Sequence, residues 1–110
     1  MRIIIGGAGR VGTELARALR AEEMDVVLMD FDSRAVKNAQ NLDVLVIHGD
    51  LTTRNKLNEA GIGEAEVFVA ATNSDERNLI ACAIAEHAHY EFGGPKAKPL
   101  LSLCRVRGMN

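Results

Sequence analysis

The stretch IIIGGAGRVGTELARALRAEEMDVVLMDFD, residues 3–32, decides the fold. An apolar run of Ile3, Ile4 and Ile5 breaks into glycines, and Val11, Leu15, Ala18 and Leu19 then recur at helical spacing. A second apolar run, Val26 to Met29, ends on the acids Asp30 and Asp32. Strand, tight turn, helix and strand in this order predict a βαβ unit, because two parallel strands need a crossover between them.

The turn is Gly7-Ala8-Gly9-Arg10-Val11-Gly12, a G-x-G-x-x-G lying directly between strand and helix. Gly7 permits the tight turn, Gly9 lets the backbone approach a pyrophosphate, and Gly12 lets the helix pack closely on the strand. The helix start, with Arg10 and Val11, offers unpaired N–H groups and the positive end of the helix dipole to phosphates. The plainer reading is a glycine-rich structural turn. Asp30 stands about twenty residues beyond the loop, where an acid accepts the ribose hydroxyls of an adenosine. A carboxylate there repels a 2′-phosphate, which favours NAD(H), ATP or ADP over NADP(H). Asp32, the second acid of the pair, is placed to cap the helix that begins near Ser33.

The same alternation continues to the end of the chain. Arg2 to Ile5, Asp25 to Met29, Asp43 to His48, Ala65 to Ala71 and Pro99 to Val106 read as buried parallel strands. Between them lie helical patterns: Ala35, Val36, Ala39 and Leu42 on one face, and Leu79, Ile80, Ala83 and Ile84 on another. A weaker helix is read between Leu51 and Gly61, capped by Thr52 or Thr53 and ended by Gly61 and Gly63. The expectation is an α/β fold, a Rossmann-like open parallel sheet of strand order 3-2-1-4-5 with helices on both faces. The segment EFGGPKAKP, residues 91–99, reads as the loop before the last strand.

At 110 residues the chain is long enough for one core and too short for a separate catalytic domain beside it. The formal charge of -2 comes from mixed acids and bases, and aromatic residues make up only 4%, which argues against a nucleic-acid partner. No apolar run approaches the length of a signal core or a membrane span. Cys82 and Cys104, far apart in sequence and without a C-x-x-C, read as reduced, partly buried thiols, and the histidines form no ligand spacing with them. Residues 1–110 are expected to form a single domain that stops after RVRGMN, where a complete dinucleotide fold usually adds another helix and strand.

Three further stretches bear on chemistry. HGDLT places Gly49, Asp50 and Leu51 near the adenine position, with Asp50 accepting the adenine amino group and Leu51 covering the ring; a turn followed by a cap fits equally well. In AATNSDERN, Asn73 with Glu76 resembles a capping box, and Asp75 and Glu76 favour the helix dipole. Thr72 and Asn78 are expected on the ligand side. Arg105 and Arg107 alternate on the last strand and can read phosphates, or simply be solvated.

Taken together, IIIGGAGRVGTELARAL, VVLMDFD, VIHGDLT, EVFVAATNSDERNLIAC and CRVRG resemble the regulatory nucleotide-binding domains of potassium transport, the KTN, RCK or TrkA-N domains of Trk-type potassium uptake. The resemblance runs through nearly the whole chain in order. It implies phosphate binding by Gly7, Gly9, Arg10, Val11 and Gly12, ribose binding by Asp30, and adenine binding by Gly49 to Leu51. Thr72, Asn73 and the acids beside them, including Asp75, would lie near the far end of the nucleotide, and Arg105 and Arg107 would read phosphates. It also implies NAD(H), and often ATP or ADP, as ligand, homo-oligomers (dimers or rings), and docking on a membrane potassium channel or transporter at the inner face of the cell membrane. Two departures stand out: Gly6 replaces a usual bulky apolar residue, and the family usually continues past RVR into a C-terminal lobe.

Sensing without catalysis is therefore the leading expectation. The alternatives are the cofactor half of an NAD-dependent oxidoreductase and a nucleotide-free scaffold. Tyr90 has Gly94 four residues on, not lysine, so it is not a Y-x-x-x-K pair. His48 closes a strand, and His87 and His89 fall near a helix end away from the crevice, which leaves the oxidoreductase without an evident acid or base.

Overall fold

A computed structural model describes residues 1–107; Gly108, the last residue of CRVRG, lies outside the described residues. The strands are β1 (Arg2–Gly6), β2 (Asp25–Asp30), β3 (Leu45–His48), β4 (Ala65–Ala70) and β5 (Leu101–Cys104). The helices are α1 (Arg10–Ala21), α2 (Ser33–Asn38), α3 (Arg54–Glu59) and α4 (Asp75–Gly93), with short 3-10 turns at Ile62–Glu64 and Gly94–Lys96. All strand pairings are parallel and the order is β3-β2-β1-β4-β5, as the alternation of the sequence predicts.

Adjacent residues of the inner strands feed opposite cores. Ile3, Ile5, Val26 and Leu28 pack with Ala16 of α1 and Ala39 on one face, while Ile4, Val27, Met29 and Phe68 pack with Leu57 of α3 and the alanines of α4 on the other. Because both faces are covered, these strands read as continuous apolar runs rather than alternating ones. Each fully buried aliphatic side chain contributes about 1.5–3 kcal/mol, so the inner strands are rigid supports for whatever lies at their ends.

Helix α4 departs from the expected pattern. Leu79 and Ile80 are more than half exposed, and the buried face consists of Asn78, Ala81, Ala85, Ala88 and His89. Small side chains let this helix lie close against β4, where Leu or Ile would hold it off the sheet. The helix also runs to Gly93, beyond the predicted start of the loop, and ends on Gly94 at φ 74°. His89 is a structural clip: its ring nitrogens meet the Ile62 carbonyl oxygen at 2.7 Å and the Lys98 carbonyl oxygen at 2.5 Å. Cys82 and Cys104 are both free and partly buried. Their thiols meet between α4 and β5, and burial first, then Cys82, pushes the Cys104 thiol up. Among the described residues no helix is long and apolar enough to cross a membrane.

Candidate nucleotide-binding site

The strand order reverses between β1 and β4, and the carboxyl ends of these strands open into the crevice where open α/β sheets bind ligands. The turn after β1 is held on both sides. The Gly7 N–H donates to the Met29 carbonyl at 2.7 Å, and the Ala71 N–H donates to the Gly6 carbonyl at 2.7 Å. Gly7 has φ 113°, which L residues with a side chain rarely adopt. A Cβ on Gly12 would lie 1.7 Å from the Gly7 carbonyl oxygen, so Gly12 is required by packing.

Gly9 is different. It is the N-cap of α1 with φ -82° and ψ -159°, and a Cβ built there meets nothing within 4 Å among the described residues. The protein itself does not demand glycine at this position; the space belongs to the crevice. Among the described residues helix α1 has no side-chain cap, and it has no acid in its first turn, so its positive end is left for an anion.

Asp30 closes β2. Its Oδ2 accepts from the Ala8 N–H at 2.7 Å and its Oδ1 from the Asp32 N–H at 2.9 Å. A carboxylate offers about four acceptor sites, so both oxygens keep capacity for ribose hydroxyls. Asp32 caps α2, accepting from the Arg34 N–H at 2.9 Å.

Together these elements enclose a crevice of about 590 Å³. Of the residues singled out in the sequence, Gly7, Gly9, Arg10, Val11, Asp30, Asp32, Thr72, Asn73 and Arg105 line it. Gly12 sits beneath the loop, and Gly49, Asp50, Leu51 and Asp75 are not among the lining residues. Phe31, Ser74 and Arg77 line it as well, and sequence reasoning passed over all three. The only hints were positional: Phe31 stands between two acids, and Arg77 falls one turn after a cap.

Several expectations are corrected by the contacts. The Leu51 side chain is fully buried and packs over Gly6, where a Cβ would lie 2.5 Å from Leu51 Cδ1. It fills the volume that the missing Gly6 side chain leaves, and so does not reach the crevice to cover a ring. Asp50 Oδ1 accepts from the Thr52 N–H at 2.9 Å, the Thr52 hydroxyl at 2.8 Å and Arg77 Nη2 at 2.6 Å. Burial alone would push the Asp50 carboxyl up; the Thr52 and Arg77 contacts outweigh it and hold the group below its ordinary range.

The cap of α4 is Ser74, whose hydroxyl oxygen accepts from the Arg77 N–H at 3.2 Å, rather than Asn73. Asn78 is buried instead of facing ligand. Its Oδ1 accepts from the Thr72 N–H at 2.9 Å and the Thr72 hydroxyl at 2.6 Å, and its Nδ2 donates to the carbonyls of Thr72 and Arg105. It braces the loop after β4 against the end of β5. Strand β5 stops at Cys104, so Arg105 and Arg107 do not share a strand face as predicted. Arg107 Nη2 donates to the Asn73 carbonyl and the Arg107 N–H to Asp75 Oδ1 at 3.0 Å, which turns Asp75 towards the C-terminal segment.

The TrkA-N domain family matches residues 3–94. A Trk system potassium uptake protein TrkA homolog from Pyrococcus abyssi is 42% identical over 88 residues, covering 79% of this chain and 39% of that protein. The homolog from Methanothermobacter thermautotrophicus is 42% identical over 97 residues, covering 87% of this chain and 43% of that one. The Trk system potassium uptake protein TrkA of Haemophilus influenzae is 42% identical over 83 residues, covering 74% of this chain and 18% of its own length. The chain thus spans less than half the length of each of these relatives. Among solved structures, the NAD(P)-binding domain of an exopolyphosphatase-related protein from Archaeoglobus fulgidus superposes with a TM-score of 0.71 at 16% identity, over 93% of this chain and 86% of that one. The UDP-glucose 4-epimerase of Thermus thermophilus, in complex with NAD, gives a TM-score of 0.67 at 16% identity, over 84% of this chain and 35% of that one. At such identities the likeness shows the fold alone. The sequence relatives show more: the chain belongs to the TrkA-N domain family.

Proposed function

We propose that this domain is the nucleotide-sensing N-terminal lobe of a longer regulatory protein of potassium uptake. NAD(H) is its ligand, with ATP or ADP accepted at the same site. The phosphates lie on the N-terminus of α1 between Gly7, Gly9 and Arg10, the ribose on Asp30, and the far end of the nucleotide towards Thr72, Asn73 and Arg105. The observation that carries this reading is the unhindered space at Gly9, beside an α1 N-terminus that no side chain among the described residues caps. The relatives named for Trk potassium uptake support the regulatory part.

The ligand acts by differential affinity. A nucleotide shifts linked domains only by as much as it prefers one of their arrangements, and no chemical step is needed. The whole protein works as a homo-oligomer in the cytoplasm, held at the inner face of the membrane by a potassium channel or transporter.

Calorimetric titration with NADH, NAD, NADPH, ATP and ADP tests this, run beside an assay for NADH turnover with carbonyl substrates. Binding of NADH and adenine nucleotides without turnover, and weaker NADPH, is the expected result. Turnover would instead make the domain the cofactor half of an oxidoreductase, and absence of binding would remove the sensing role.

A further inference from the structure

Strand order sets the order of subsites along the crevice. The glycine loop follows β1, Asp30 ends β2, and Asp50 follows β3, the next strand outward, where Asp30 pairs with His48. A nucleotide with phosphates on the loop and ribose on Asp30 therefore carries its base outward, past Phe31 and towards Asp50. The group that spans this end is Arg77. It starts in the first turn of α4, after β4 on the other side of the loop, and reaches Asp50 Oδ1 at 2.6 Å. Its guanidinium carbon lies 5.2 Å from the centroid of the Phe31 ring.

The two planar groups are held very differently. Arg77 is anchored at its head by Asp50 and at its backbone by the Ser74 cap. Its Nε is buried and has no hydrogen-bond partner among the described residues, so this pose is not one that hydrogen bonding alone selects. Phe31 is 58% exposed at the mouth of the crevice, an unusual position for phenylalanine. Its backbone is fixed, because the Phe31 carbonyl faces His48 Nε2 at 2.8 Å, whereas its ring can swing into solvent. A ring entering between the two planes needs about twice the ~3.5 Å contact distance, and at 5.2 Å the gap must open from the Phe31 side.

We propose that Arg77 is the base-recognition residue of this crevice: its guanidinium, anchored by Asp50, is the fixed plane on which an adenine ring stacks, with the Phe31 ring as the movable opposing wall. This rests on the nucleotide-binding reading above. It assigns Asp50 to holding Arg77 in place of accepting the adenine amino group. A flat, delocalised cation stacks on an aromatic base, whereas the compact ammonium of lysine keeps the charge without the plane.

The test uses Arg77→Lys, which retains a cation opposite Asp50. The probes are ADP, its 2-aminopurine analogue, whose fluorescence stacking quenches, and ribose 5-diphosphate, which lacks a base. Arg77→Lys is expected to weaken ADP by about five- to twentyfold, to relieve the quenching, and to leave ribose 5-diphosphate unchanged. Phe31→Ala, at an exposed position, provides a second variant and should weaken ADP by about threefold with partial loss of quenching. Equal weakening of ADP and ribose 5-diphosphate would mean that Arg77 reads phosphates, which overturns the proposal. ADP binding and quenching unchanged in both variants would overturn it while leaving the nucleotide site intact. Failure of the unaltered chain to bind ADP or NADH would overturn both.

Discussion

Asp30 Oδ2 accepts the Ala8 N–H at 2.7 Å, so the acid that ends β2 also holds the glycine loop that follows β1. One carboxylate thereby fixes the distance between the proposed phosphate and ribose subsites before any ligand arrives. Asp30→Ala removes this brace and the ribose acceptor together, and is expected to weaken ADP and NADH by about 1–3 kcal/mol. Calorimetric titration checks it, and unchanged affinity would remove the ribose assignment.

The glycines of the loop separate into structural and ligand-facing ones. Gly12→Ala drives a Cβ into the Gly7 carbonyl, and its cost should lie at or beyond the top of the ~1–3 kcal/mol range for overpacking. Gly9→Val places its side chain in open space at an allowed backbone conformation. A thermal melt close to that of the unaltered chain, with nucleotide binding lost, is the expected pair of results; retained binding would count against the loop as phosphate site.

Leu51 belongs to the core beneath Gly6. Leu51→Ala should cost about 2–5 kcal/mol of stability, the range for truncating a fully buried leucine. Titration at a temperature where the variant stays folded should give an unchanged ADP affinity. A large loss of affinity would return Leu51 to the adenine site.

Asn78 satisfies groups on two segments at once, the loop after β4 and the Arg105 carbonyl. Asn78→Leu leaves buried donors and acceptors unpaired, with an expected loss of about 1–3 kcal/mol for each group stranded. Urea unfolding measures the total, and amide exchange at Thr72 should accelerate as its N–H loses its acceptor.

The Asp50 carboxyl lies below its ordinary range in the folded chain, despite the upward push of burial, because of Thr52 and Arg77. A depressed carboxylate stabilises the fold fully above its unfolded value and loses that contribution as pH falls through the folded value. The melting-temperature difference between the unaltered chain and Asp50→Asn should therefore be constant near neutrality and shrink as pH drops below about 4. A difference that persists unchanged in acid would show that the ion pair contributes nothing through charge.

The βαβ opening shows how far local signals reach. Ile3 to Ile5 and the glycine spacing act through backbone geometry within their own segment, whereas Asp30 is marked only by its spacing from the loop and finds its Ala8 partner 22 residues away; the strand order follows from alternation and crossover handedness. The Asp32 cap was legible because it bonds only two residues along. In α4 the helical period of large apolar residues points to Leu79 and Ile80 as the buried face, whereas the distance from helix to sheet selects alanines. Nothing within the helix itself encodes that distance.

Residue type and spacing were thus sufficient for the sheet, its topology, the glycine turn and the Asp32 cap, because those features arise from backbone conformation and short-range hydrogen bonds. Tertiary packing alone brought Arg77 to Asp50 across 27 residues and set its guanidinium over Phe31. It also placed Leu51 under Gly6, buried Asn78, and brought Cys82 to Cys104. These partners lie far apart along the chain, and side-chain contacts between separate segments exist only once the sheet has fixed where each strand ends.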